Sequence, residues 1–229
     1  MEKFRKEKFL ENSVGPIFIK SAEIIISQMR KCLCKIVSEN MRSTGFFCKI
    51  PYPDMSHLLP VLVTTDFAFR KGIKKGDSIN ISINDDQELK TIKIDDNRKI
   101  FINKQYNTAF IELTPEDKIN DFLEIDYDIF QKENYAEYAY PMKSIYVLHY
   151  PKGHIAAMNP GTLKKFLDDK KEFSHYCNTD AGSAGGPILL LDNFKVIGFH
   201  KAGCNDKDYN IGGFIKYPIE EFIKNSIGK

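Results

Sequence analysis

Residues 177–187, CNTDAGSAGGP, combine the residue types of a turn built to meet negative charge. Gly182, Gly185 and Gly186 let backbone N–H groups turn inward toward a developing oxyanion, and Pro187 leads into an apolar run. Two side chains near this turn are of nucleophile type. Ser183 lies one place before Ala184, and because successive side chains of an extended turn point in different directions, it is expected to face away from a groove. Cys177, with His175 and His200 near it in sequence or pattern, is expected to be a small buried hydrophobe at the entry to a strand. Asp66 and Asp180 are loop carboxylates and read as solvated groups; His57 reads as a surface histidine. The five histidines (His57, His149, His154, His175, His200) and five cysteines show no Cys-x-x-Cys or His-Glu-x-x-His spacing, so neither a metal nor a cofactor is expected.

Three segments in one order carry more than any of them alone. Gly182, Ser183, Ala184, Gly185, Gly186 and Pro187 fit the pattern Gly-x-Ser-Gly-(Gly/Ser)-Pro with Ala184 on the serine. In residues 44–69, TGFFCKIPYPDMSHLLPVLVTTDFAF, Leu62, Val63 and Thr64 fit Leu-Val-Thr-x-x-His, which puts Phe67 on the histidine. Tyr106, Asn107, Thr108, Ala109, Phe110 and Ile111 fit Tyr-Asp-(small)-(small)-hydrophobic, with Asn107 on the aspartate. Over residues 30 to 225 the chain thus resembles the trypsin-like (chymotrypsin-fold) serine proteases, with every triad position substituted. Residues 195–203, KVIGFHKAG, resemble the strand that borders the specificity pocket in the glutamate-preferring intracellular branch, where a histidine is helped by a threonine five places before the nucleophile. Here these are His200 and Thr179, with Lys201, Ala202 and Gly203 continuing the wall and Gly182 and Ala184 in the oxyanion-hole places.

The resemblance implies a protease homologue without working chemistry. A serine hydroxyl needs a base and the base needs an orienting partner; loss of the aspartate alone costs about 10⁴ in rate. With the whole unit gone, an oxyanion hole and binding leave on the order of 10³ to 10⁴ over water. The implied function is therefore binding of a peptide or protein segment in the former cleft, with an acidic side chain as the candidate ligand of His200 and Thr179. Two alternatives stand beside it: a scaffold that docks through outer loops or the charged N-terminal segment, and a residual hydrolase using Cys177 or Ser183. Phe67 is expected to lay its ring beside Ala184 and fill the volume left by imidazole and hydroxyl.

The elements that must position these residues follow from apolar, β-branched runs. CLCKIV, TGFFCKI, LPVLVTT, SINISIN, KTIKI and TAFIEL are separated by Gly/Asp/Asn turn clusters, and six more runs follow residue 143. The fold class expected is all-β: two antiparallel six-stranded barrels, with a short N-terminal helix capped by Ser21 and a C-terminal helix opened by Pro218. The expected organisation is an extension over 1–30, a first barrel over 31–114, an acidic and aromatic connector over 115–142 and a second barrel with its helix over 143–229. With 33 basic and 31 acidic residues the net charge is only +2, so no global field favours nucleic acid or an anionic membrane. The run RKGIKK at 70–75 reads as a solvated turn. No apolar run approaches the ~18 residues of a membrane span. An odd cysteine count and a charged start, MEKFRKEKFLEN, suggest an intracellular reducing compartment without a signal peptide. Cys32 and Cys34, two apart, are expected on one strand face; Cys34 and Cys48 are close enough in pattern to face each other across neighbouring strands.

Overall fold

In the computed structural model, residues 14–37, 42–69, 72–131, 135–167, 171–204 and 207–227 are described. The first half is a seven-stranded sheet of β1 (Leu33–Val37), β2 (Arg42–Pro51), β3 (Leu58–Thr64), β4 (Ser78–Ile83), β5 (Glu88–Lys93), β6 (Ile100–Asn103) and β7 (Thr108–Glu112), curled into a half-barrel in the order β5-β4-β1-β2-β3-β7-β6. The second half is a closed barrel of β8 (Ser144–His149), β9 (Ala157–Phe166), β10 (Glu172–His175), β11 (Pro187–Leu190), β12 (Val196–Gly203) and β13 (Asn210–Phe214). The trypsin-like double barrel is therefore present. Its first half carries one strand more than expected, the short β6 paired to β7 from Ile100↔Ile111 to Asn103↔Thr108.

Several strands read as unbroken apolar runs because both of their faces are covered. Along β2, Phe46 and Cys48 enter a core shared by the two halves, together with Leu148, Tyr150, Phe199 and Phe222; Phe47 between them enters the interior of the first half with Leu62, Ile81 and Ile111. The period of two thus splits one strand between two cores. A third core, with Val147, Leu163, Phe173, Ile188 and Phe214, fills the closed barrel. Burying each of these side chains contributes about 1.5–3 kcal/mol.

Cys48 belongs to the shared core and Cys34 to the first interior, so they face apart; all five cysteines are free. Cys32 and Cys34 do not share a strand face either, because Cys32 is the last residue of helix α1 (Ile19–Cys32) and packs in the shared core. That helix begins two residues before Ser21, after Phe18, and has no side-chain cap. Between the halves lie two short helices, α2 (Asp128–Gln131) and α3 (Tyr135–Ala139), fixed by a buried bond from Tyr140 Oη to Asp126 Oδ2 (2.7 Å). Helix α4 (Lys216–Ile227) closes the chain with Pro218 in its first turn, where a missing N–H costs nothing. The charged segment 1–12 and Arg70 and Lys71 of the basic run lie outside the described residues. No helix among the described residues is long and apolar enough to cross a membrane.

Candidate functional site: a cavity beside the glycine-rich loop

The Gly-rich loop is held in an anion-facing form by its own carbonyls. Ser183 N–H donates to Asp180 O (3.0 Å), closing a four-residue turn with Gly182 at its third place and φ of 87°, the type II form that glycine adopts without strain. Lys152 N–H takes the Ala181 carbonyl, and Gly186 N–H takes that of Ser183 at 3.0 Å. A trans peptide points its N–H opposite to its C=O, so both bonds turn the N–H groups of Gly182 and Ala184 to the other side.

Threonines of the first half pin this loop in place. Thr44 on β2 gives its N–H to Ala184 O (3.0 Å), and its Oγ1 donates to Gly182 O (2.8 Å) while accepting from Tyr150 N (3.0 Å). Thr64 Oγ1 donates to Thr44 O (2.8 Å), and Thr108 Oγ1 to Thr64 O (3.2 Å). Gly185, at φ 89°, lies so close that a Cβ there would come within 2.2 Å of Thr44 O. Only glycine lets the loop approach this strand.

Beneath the loop Ser183 is fully buried and turned away from the cleft, as its place in the turn implied. Its Oγ accepts from Asp180 N (3.0 Å) and meets His149 Nδ1 at 2.6 Å, while His149 Nε2 meets Asn159 Oδ1 at 3.1 Å. These partners assign the protons: His149 carries its own on Nε2 and accepts the serine's on Nδ1. Burial lowers the His149 pKa below its ordinary value, which keeps the ring neutral. The Ser-His-Asn chain has the connectivity of an acid–base relay, yet it is enclosed and serves as an anchor. Cys177 is also enclosed, and burial lifts its thiol to about 12.

The three positions that the family pattern sets on the triad carry Ala184, Phe67 and Asn107. Ala184 presents a methyl. Phe67 sits in the 3-10 turn Asp66–Phe69 after β3 and is 40% exposed. Asn107 precedes β7 with φ of 53°. The β3–β7 register ends with Thr64 opposite Ala109, so Asp66 and Asn107 lie just beyond the paired strands. Thr65 Oγ1, Asp66 Oδ1 and Asn107 Oδ1 are buried atoms with no hydrogen-bond partner among the described residues, and burial raises the Asp66 carboxyl. His57 is bonded to Asp54 (2.9 Å) in the exposed loop between β2 and β3.

A cavity of about 450 Å³ opens beside the loop. Thr179, Gly182, Ala184, His200, Ala202 and Gly203 line it, all of them singled out from sequence. Lys201 lies outside that lining: strand alternation turns it to the opposite side, where it pairs with Glu172. Asn210 and Cys204, which the sequence reading did not include, complete the wall; Asn210 is fixed by donating to Cys177 O (2.8 Å). No cluster of three or more metal-ligating side chains occurs among the described residues.

His200 is 3% exposed, and its Nδ1 lies 3.3 Å from His175 Nε2. Cys177 N–H donates to His175 Nδ1 (3.3 Å), so His175 bears its proton on Nε2 and gives it to His200 Nδ1. His200 is left with its proton on Nε2, a donor for the cavity it lines. Burial first, and neighbouring histidines second, push both rings down to about 3, so both are neutral at ordinary pH. The two rings therefore bring hydrogen-bonding groups and no fixed positive charge to this wall.

Known proteins agree at the level of architecture. No protein-family model matches the chain, and no curated protein matches it in sequence. Among solved structures, the Rv3671c protease of M. tuberculosis H37Rv, as an inactive-form serine-to-alanine mutant, is similar with a TM-score of 0.64 and 14% identity, over 95% of this chain and 98% of that one. A serine endoprotease from Yersinia pestis gives 0.64 and 8% identity, over 93% and 69%. The active form of the Rv3671c protease gives 0.63 and 14%, over 94% and 89%. The chain has the trypsin-like serine protease fold.

Proposed function

We propose that this chain is a catalytically inactive protease homologue that binds a peptide or protein segment in the former substrate cleft, at the cavity beside its glycine-rich loop. The carrying observation is one site in two conditions. The loop, its donors and the adjoining cavity are ordered by hydrogen bonds, while Phe67, Asn107 and Ala184 offer neither nucleophile, base nor orienting carboxylate. Ser183 and Cys177 are enclosed and present no nucleophile to the cleft. Neutral His200, donating from Nε2, accommodates an acceptor-bearing side chain; glutamate and glutamine both qualify, glutamate adding charge to the bond.

Fluorescence polarisation with a pool of labelled peptides containing glutamate or glutamine tests the reading. Saturable binding is expected, weakened about tenfold by His200→Ala, which removes one hydrogen bond to a charged or polar ligand. Neither the unmodified chain nor Ala184→Ser is expected to turn over a peptide or take up a fluorophosphonate probe. Turnover by the unmodified chain, or the absence of any cleft binding, would defeat the proposal.

A second reading is favoured by helix α1, where Phe18, Ile19 and Ile26 are 68%, 82% and 46% exposed. An apolar flank of this kind suits a scaffold that docks through its N-terminal region.

A further inference from the structure

The cleft holds donors that no protein acceptor uses. Gly182 N–H and Ala184 N–H point away from carbonyls already bonded to Lys152 and Gly186, and no described group accepts from either. Both residues line the 450 Å³ cavity, and so does His200, whose protonated Nε2 is set by the His175 bond on its other nitrogen. A main-chain carbonyl from the middle of a peptide brings one neutral oxygen to this set. A carboxylate brings two oxygens and a charge, which strengthens each bond it accepts.

The substitution in the loop favours the charged occupant. Ala184 leaves open the volume that a hydroxyl would take, so a second oxygen fits beside the first. The one carboxylate in the lining, Asp180, accepts from Ala181 N–H (2.7 Å) and lies 3.7 Å from Lys152 Nζ, which offsets its charge.

We infer that the cleft reads the free C-terminal carboxylate of a peptide, seated on the N–H groups of Gly182 and Ala184, with the last side chain directed toward Thr179 and His200. This rests on the proposed reading of the cleft as a peptide-binding site. The ligand is then a finished chain end, such as a protease releases, and not an internal segment.

The test uses three forms of one labelled octapeptide library ending in glutamate or glutamine: free carboxylate, C-terminal amide, and the same peptides extended by Gly-Ser-Gly and amidated. The free acid is expected to bind at least about tenfold more tightly than the other two. In ¹H–¹⁵N spectra of the full chain it should shift the Gly182 and Ala184 amides, and the amide form should not. Equal binding of all three forms overturns the chain-end inference while leaving a cleft that binds peptides. A carboxylate preference with no shift at Gly182 or Ala184 also overturns it. Absence of binding by every form removes the underlying reading of the cleft as well.

Discussion

The two halves of the molecule treat buried polar atoms differently where they meet at the cleft. On the second-barrel side, Ser183, His149 and Asn159 form a closed chain, and His175 and His200 form another whose final donor faces the cavity. On the first-barrel side, three of the five unpartnered buried side-chain atoms among the described residues lie on Thr65, Asp66 and Asn107. An unpaired buried polar group costs about 1–3 kcal/mol, so the two sides differ in how fully their buried polar atoms are satisfied.

Acid should break this difference most strongly. His175 and His200 are held near 3 in the folded chain and return to about 6.5 on unfolding, so between those values the unfolded chain binds more protons and stability falls as pH falls. At pH 5 the slope is about 1.4 kcal/mol per pH unit for each ring, from the linkage relation. Thermal melts should therefore show a falling melting temperature from pH 6.5 toward pH 4, with the slope roughly halved in His200→Gln. A flat profile would mean that the pair is open to solvent and that the cavity wall is not built as described.

The next largest effect concerns the threonine that joins the halves. Thr44→Val keeps the shape of the side chain but removes the hydroxyl, leaving Tyr150 N–H and the Gly182 carbonyl without it. Loss of about 3 kcal/mol is expected, equivalent to roughly 6–12 °C in melting temperature for a chain of this size. Peptide binding should weaken with it, because the same hydroxyl fixes the Gly182 turn. A stable variant with unchanged binding would show that the loop is held from the second barrel alone.

Much of this arrangement was readable from residue order, and the parts that were not have a common cause. The three motif segments and the β-branched runs were enough for the double barrel, because each is local in sequence. Strand β6 escaped notice because IFIN is four residues long between charged turns, too short for an alternating pattern to register. Lys201 was placed with His200 by adjacency, although the period of two in β12 sends neighbours to opposite sides. The His149–Ser183 contact spans 34 positions and Asn210 enters the cavity from the next strand, so neither has a spacing to read. The 3-10 turn that carries Phe67 depends on backbone geometry after β3 and has no local pattern to read.

Asp66 offers the smallest effect and the opposite sign. Its carboxyl is raised by burial above the value of an unfolded aspartate, so the folded chain binds the extra proton between the two values and stability falls as pH rises through that window. Above that window the charge is held at a cost, which a hydrogen bond from the Phe67 N–H reduces first and attraction to Lys104 and Lys201 reduces further. Asp66→Asn keeps a carbonyl oxygen in place and removes the charge, so a gain of less than about 1 kcal/mol is expected at pH 7, small because the residue is only partly buried and its charge partly compensated. The gain should vanish at pH 4 or below, where the aspartate is itself increasingly protonated, while the histidine-dependent loss is largest there. Paired melts of the two proteins across this range would separate the halves: one set of groups resists protons and the other resists giving them up. Destabilisation by Asp66→Asn at pH 7 would instead show that the carboxylate has a partner on the first-barrel side, and that this half of the cleft is as well satisfied as the other.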